Sequence, residues 1–295
     1  MKEIPYSGEA KAKVSDIEIA YDTFGNTSDP PMLLIMGLGA QMIRWDVAFC
    51  KAIAAQGRWV IRFDNRDVGL STKFEEAGVP NVIGLVQGQA VDVPYKLRDM
   101  AEDAVGLLDA LGIEAADVVG VSMGGMIAQT LAIHHPERVR TLTSIMSSTG
   151  NPNLPQPTAE AMAFLLAPPA TSRDEYIENS LKSAKVLHGP HYPFNEDYVR
   201  NYSEISYDRC YHPQGFSRQF SAVLASGGRN KELANVKIPT LVIHGDADPL
   251  VPLEGGKDTA KSIPDAELLI IEGMGHSFPT EVAPQIIQAI LKHTA

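Results

Sequence analysis

The first residue placed to do chemistry is a serine between glycines. In DVVGVSMGGM, Asp117–Met126, Ser122 lies two residues after Gly120 and two before Gly124, where an apolar run gives way to a helical pattern. A strand, a sharp turn and a helix in that order expose a hydroxyl on a strained bend, and only small neighbours two positions away avoid collision. The free N–H groups of the following helix would face an anion. A serine hydroxyl at its ordinary pKa is a weak nucleophile and needs a base. Acid and imidazole follow in the order Ser, Asp, His: GDADPLVP comes after the apolar run TLVIH, and GMGHSFP after ELLIIE. This order assigns His276 as general base and later general acid, with a carboxylate holding its tautomer and stabilising its cation. Asp246 and Asp248 compete for the carboxylate role. Asp248, deeper in its loop and followed by Pro249, is the expected partner, which leaves Asp246 to cap backbone N–H groups.

Acyl transfer also needs two backbone donors for the developing oxyanion, each worth ~10²–10³ in rate. Met123, directly after the nucleophile, supplies one. The other is expected from Leu38, in the turn GLGAQ that follows the apolar run MLLIM, where Gly37 and Gly39 let backbone approach a ligand.

These groups need a scaffold that gathers them on one edge. MLLIM (32–36), WVIRF (59–63), DVVGV (117–121), TLTSIM (141–146), TLVIH (240–244) and ELLIIE (267–272) are continuous apolar runs, as in strands covered on both faces. VSDIEIAYDTF alternates and predicts an antiparallel edge hairpin. Between the runs lie helical patterns. Apolar residues at 97, 100, 101, 104, 105, 108 and 111 make one helix face, Met123 to His135 follows the serine, and Val282, Ile286 and Ile290 recur at four-residue spacing. The expected fold is α/β, a mainly parallel eight-stranded sheet flanked by helices with right-handed crossovers.

From Asn151 to Asn235 the rhythm breaks. That stretch opens with Pro152, Pro155 and Pro157, holds six of the nine tyrosines and contains no buried-strand run. It is too long for a connecting loop and predicts a helical cap inserted over the carboxyl ends of the strands, where open parallel sheets bind ligands. The expected division is a core domain of 1–150 and 236–295 and a cap of 151–235. The connection Lys73–Pro94 is also long and is expected beside the pocket mouth.

Taken together, GVSMGG, GDADPLVP and GMGH resemble the nucleophile, acid and histidine motifs of the α/β-hydrolases, and the resemblance covers nearly the whole chain outside the insertion. In that family the acid usually lies three residues after the glycine of His-Gly, which also selects Asp248. RFDNRDVGLST resembles the family's D-x-R-G-x-G-x-S turn, with Asp67 where glycine is usual. Most members read His-Gly at the oxyanion turn, whereas this chain reads Met36-Gly37-Leu38, which leaves open how the turn is braced. MGLG, RFDNRD and GVSMGG together look most like bacterial carboxylesterases near the aclacinomycin methylesterase group. The resemblance implies ester cleavage through an acyl-enzyme, with no cofactor. The same triad also serves lactonases, amidases and iminopeptidases, C–C hydrolases and cofactor-free perhydrolases, and the fold serves ligand receptors as well.

The remaining readings are plainer. Trp45, Phe164, Tyr192 and Phe220 are candidate pocket walls for a small to medium apolar or aromatic ester, although cap aromatics more often form cap core. His134 and His135 end a helix, where a cation is favourable, and His244 is expected to be buried and hydrogen-bonded. Asp64, Arg66 and Asp67 are expected to knit a structural turn. His188, His191 and His212 have no metal-ligand spacing, so no metal is expected. A net charge of −11 without a basic run argues against nucleic acid and anionic membrane as partners, leaving a small-molecule substrate and a monomer or homodimer. Cys50 and Cys210 are far apart and fit reduced thiols in the cytoplasm. The N-terminal residues MKEIPYSGEAKAKVSD lack the apolar stretch of a signal peptide.

Overall fold

A computed structural model describes residues 3–295. Its strands are β1 (Ala10–Val14), β2 (Ile17–Phe24), β3 (Pro31–Ile35), β4 (Trp59–Phe63), β5 (Ala116–Val121), β6 (Val139–Ile145), β7 (Thr240–Gly245) and β8 (Glu267–Ile271). They form one eight-stranded sheet in the order β1-β2-β4-β3-β5-β6-β7-β8. β1 and β2 make the expected antiparallel hairpin, β2 pairs antiparallel with β4, and every later pairing is parallel.

The helices are α1 (Val47–Ala54), α2 (Val82–Val86), α3 (Leu97–Ala110), α4 (Met123–His134), α5 (Ala159–Leu165), α6 (Arg173–Leu187), α7 (Glu196–Arg209), α8 (Pro213–Ser226), α9 (Asn230–Leu233), α10 (Leu253–Ser262) and α11 (Ala283–His293). Successive strand side chains point to opposite faces, so a strand that is apolar throughout must be covered twice. On one face Leu33, Ile35, Ile61 and Val118 pack with Met100, Ala104 and Leu107 of α3 and Ile127 and Leu131 of α4. On the other, Met32, Leu34, Val60 and Val119 pack with Phe49 and Ile53 of α1 and Ile286 and Ile290 of α11. The run ELLIIE departs from that pattern. β8 is the last strand of the sheet, its burial is patchy, and Ile270 is 42% exposed. A continuous apolar run marks a strand but does not reveal that its strand lies at an edge.

Helices α5 to α9 all fall between β6 and β7. Ile177 and Leu181 of α6 and Val199 of α7 form a small apolar cluster of their own. The stretch Lys73–Pro94, read as a loop, holds the one-turn helix α2 and a 3-10 turn over Glu75–Ala77.

Candidate active site

β5 ends in a backbone bend at Ser122, with φ 55° and ψ −121°, a region that side chains rarely occupy. The flanking glycines are required by close approach. A Cβ on Gly120 would lie 2.1 Å from the carbonyl oxygen of Gly124, and one on Gly124 would lie 2.1 Å from that of Ile35. The start of α4 is therefore pressed against the ends of both β5 and β3, which aims the Ser122 hydroxyl outward from the sheet edge.

His276 follows β8, and its Nε2 lies 2.9 Å from Ser122 Oγ. Its Nδ1 lies 2.7 Å from Oδ2 of Asp248, in the loop after β7. The other oxygen of Asp248 accepts from the N–H groups of Leu250 and Val251, each at 2.8 Å. That engagement holds the carboxylate as an acceptor for a histidine Nδ1–H, so Nε2 is free to accept from the serine. Asp246 points elsewhere, its Oδ1 accepting from Gly273 N–H at 2.6 Å. His244 is fully buried beside the loop, with Nε2 on the carbonyl of Val251 at 2.8 Å and 3.7 Å from Asp248. Burial holds its pKa below the ordinary histidine value, so the ring stays neutral next to the carboxylate.

Gly37, Leu38 and Met123 border the same cavity as Ser122. Among the described residues neither the Leu38 nor the Met123 amide has an acceptor, so both remain free to donate. Asn65 donates to the carbonyl of Met36 at 2.9 Å. The amide of Gly39 donates to Oε1 of Gln219 on α8 at 2.8 Å, and Gln219 Nε2 donates to the carbonyl of Arg66 at 2.7 Å. Asp64 accepts from Met42 N–H at 2.7 Å and meets Arg209 of α7 at 2.8 Å. The turn is thus held from below by the β4 loop and from above by the inserted helices, with no histidine involved.

The same loop explains Asp67. Its φ of 70° is the backbone that glycine adopts freely, and its side chain does what glycine cannot. Both carboxylate oxygens receive Arg218 of α8 at 2.8 Å, and Tyr95 and the Phe74 N–H add bonds at 2.6 and 2.8 Å. Burial alone would raise the Asp67 carboxyl, but these donors outweigh it and hold it below the usual range. Asp64 and Asp67 are therefore more than a local turn network, since each also grips an arginine of the inserted helices, while Arg66 pairs with Asp103 of α3. Arg218 and Gln219 were invisible in the sequence, except that Asp67 stands where glycine is usual.

A cavity of about 1070 Å³ opens over Ser122 and His276. Trp45, Phe164 and Phe220 line it, and so do Leu85 and Val86 of α2. Trp45 is at once wall and core, being 1% exposed. Tyr192 corrects the expectation: it lies outside this cavity, packs on the α11 side of the core and donates its hydroxyl to the carbonyl of Glu272 at 3.0 Å. Its loop turns it toward the end of β8, a direction that aromatic composition does not encode. Tyr207 stacks on Tyr211 and Tyr176 packs against both at a tilt, with ring centroids 4.8–5.4 Å apart, so these rings serve the insertion's own packing. Among the described residues no cluster of three or more His, Cys, Asp or Glu is arranged to hold a metal, and no helix is long and apolar enough to cross a membrane.

A family model described as alpha/beta hydrolase fold matches residues 30–281. Rhodomycin D methylesterase DauP of Streptomyces sp. (strain C5) is 30% identical over 305 aligned positions, covering 95% of each chain. Rhodomycin D methylesterase DnrP of Streptomyces peucetius is 30% identical over 301 positions, again covering 95% of each. Among solved structures, a hydrolase from Pseudomonas aeruginosa superposes with a TM-score of 0.74 at 24% identity, over 97% of this chain and 98% of that one.

Proposed function

Since the chain belongs to the α/β-hydrolase family, we propose that it is a carboxylic ester hydrolase working through Ser122, His276 and Asp248 by way of an acyl-enzyme. The observation that carries this reading is the unbroken hydrogen-bond line from Ser122 Oγ through the His276 ring to Asp248, facing a large and mostly apolar cavity. The two methylesterase relatives favour an ester over the other bonds such a triad cleaves.

In this mechanism Ser122 Oγ attacks the ester carbonyl as His276 Nε2 takes its proton. The new tetrahedral oxyanion accepts from the amides of Leu38 and Met123. As the intermediate collapses, His276 returns the proton to the departing alkoxide, and the acyl group stays on Ser122. A water then gives a proton to His276 and attacks the acyl carbon, which releases the acid and restores the serine. Asp248 keeps the Nδ1–H tautomer in place and stabilises the imidazolium in both halves.

The helices of 151–235 form the cap of this enzyme in the same reading, and 1–150 with 236–295 form its catalytic core. Met162, Phe164, Phe216 and Phe220 of the insertion reach the cavity wall, which supports a role in selecting mainly apolar acyl or alcohol groups. Replacing Ser122→Ala should lower hydrolysis of p-nitrophenyl acetate and of simple methyl esters by at least ~10³-fold. Retention of full activity by that variant would overturn the assignment.

A further inference from the structure

A smaller chamber of about 210 Å³ adjoins the main cavity, and His276 and Ser277 border both. Its wall includes Arg44, Ser183, Asn195, Tyr198 and Tyr202, and among the described residues no aspartate or glutamate lines it. Arg44 sits in the 3-10 turn Met42–Arg44, directly after the oxyanion turn, and borders both spaces. Its guanidinium lies over the ring of Tyr202 at 4.6 Å and near that of Tyr198 at 5.8 Å. Two aromatic faces hold the cation in place but leave its edge, where the N–H donors lie, unengaged.

The unengaged edge is unusual within this molecule. Arg62 meets Asp22, Arg209 meets Asp64 and Arg218 meets Asp67, each at 2.7–2.8 Å. Arg44 is half-buried, yet among the described residues it makes neither an ion pair nor a hydrogen bond. Asp46, two positions along, borders the main cavity but caps α1 by accepting from Ala48 N–H at 2.7 Å, without reaching ion-pair distance of Arg44. The tyrosines do not supply the missing charge. Burial pushes Tyr202 up to about 12 and raises Tyr198 as well, so both remain neutral. A half-buried cation lacking a partner gains most from an anionic group that presents two acceptors to its planar fork.

We propose that Arg44 and its chamber form a carboxylate subsite, so that the preferred substrate carries a carboxylate at a distance from the ester bond, as a half-ester of a dicarboxylic acid does. With the ester carbonyl at Ser122, the chain runs past His276 and its distal carboxylate meets the Arg44 guanidinium. Which bond is cleaved rests on the ester-hydrolase reading above, whereas the binding itself does not.

The test is therefore calorimetric titration of the Ser122→Ala protein, which keeps substrate intact. The probes are monomethyl esters of linear dicarboxylic acids from succinate to sebacate, each compared with its dimethyl ester. For at least one chain length the half-ester should bind at least about tenfold more tightly than the diester, as a charge-assisted bidentate contact requires. In Ser122→Ala with Arg44→Gln that ratio should fall to about threefold or less, while Arg44→Lys should keep an intermediate ratio, retaining the charge without the fork. Equal affinity for half-ester and diester at every length in the Arg44 protein overturns the proposal, even if a substituted variant fails to fold. So does a preference that survives Arg44→Gln, which would place the anion at Arg229, the other cavity-lining arginine. Hydrolysis of the same esters by the unsubstituted enzyme reads the ester-hydrolase proposal separately. Half-ester selectivity without turnover would leave the subsite standing and overturn the reaction.

Discussion

Two carboxylates two positions apart in one loop, Asp246 and Asp248, have different tasks because the first points at a backbone amide and the second at an imidazole. Asp248 places one oxygen on His276 and fills the other with two N–H groups, while Asp246 spends an oxygen on Gly273 N–H. Asp248→Asn would offer His276 either a donor or a poorly held acceptor and would favour the wrong tautomer. It should lower kcat on a methyl ester by on the order of 10⁴-fold, by the logic of other serine triads. Asp246→Asn should leave kcat within about threefold, since it keeps an acceptor oxygen for Gly273. Steady-state kinetics of the two variants check this, and an inverted pair of results would mean that Asp246 is the working acid. At this scale the sequence was informative wherever chemistry is tied to backbone. Ser122, His276 and Asp248 follow strand ends, and their motifs announce it. It was uninformative where only side-chain direction matters. Tyr192 and Phe164 look alike in composition, yet one turns to β8 and the other to the cavity.

At the scale of elements, the bracing of the oxyanion turn was the open question left by Met36-Gly37-Leu38. The answer joins parts distant in sequence. Gln219 on α8 accepts from Gly39 N–H and donates to the carbonyl of Arg66, tying the turn after β3 to the turn after β4. Nothing local marks Gln219 for this role, because its partners lie 180 and 153 residues away. Strand and helix positions were legible for the opposite reason, since apolar continuity and 3.6-residue spacing are local. If Gln219 keeps Leu38 facing the oxyanion, Gln219→Leu removes an interaction felt in the transition state more than in substrate binding. The variant should lose roughly tenfold in kcat with KM within about twofold, a fraction of the cost of deleting an oxyanion donor outright. A raised KM with unchanged kcat would instead make Gln219 a packing residue of the inserted helices with no bearing on the turn.

Across the whole molecule, parallel strand order brings the loops after β3, β5, β7 and β8 to one edge, so four segments spread over more than half the chain come together around Ser122 and His276. The inserted helices have a core of only a few apolar residues, and buried ion pairs such as Arg218 with Asp67 attach them to the turn after β4. Breaking such a pair costs more than the pair contributes, because it leaves a buried charge unmatched. The inserted helices and the turns beneath them are in this sense assembled together, with Asp67 and Asp64 each holding an arginine of those helices and Gln219 reaching Gly39 in the turn after β3. The proposed chemistry requires that this assembly present a single activated hydroxyl. Incubation of the protein with excess diethyl p-nitrophenyl phosphate, followed by mass spectrometry of the intact chain and its peptides, reads that directly. A single diethylphosphoryl group should appear on the peptide containing Ser122, in step with loss of esterase activity, and Ser122→Ala should take up none. Labelling of a different residue, or full inactivation with Ser122 unmodified, would show that the nucleophile lies elsewhere.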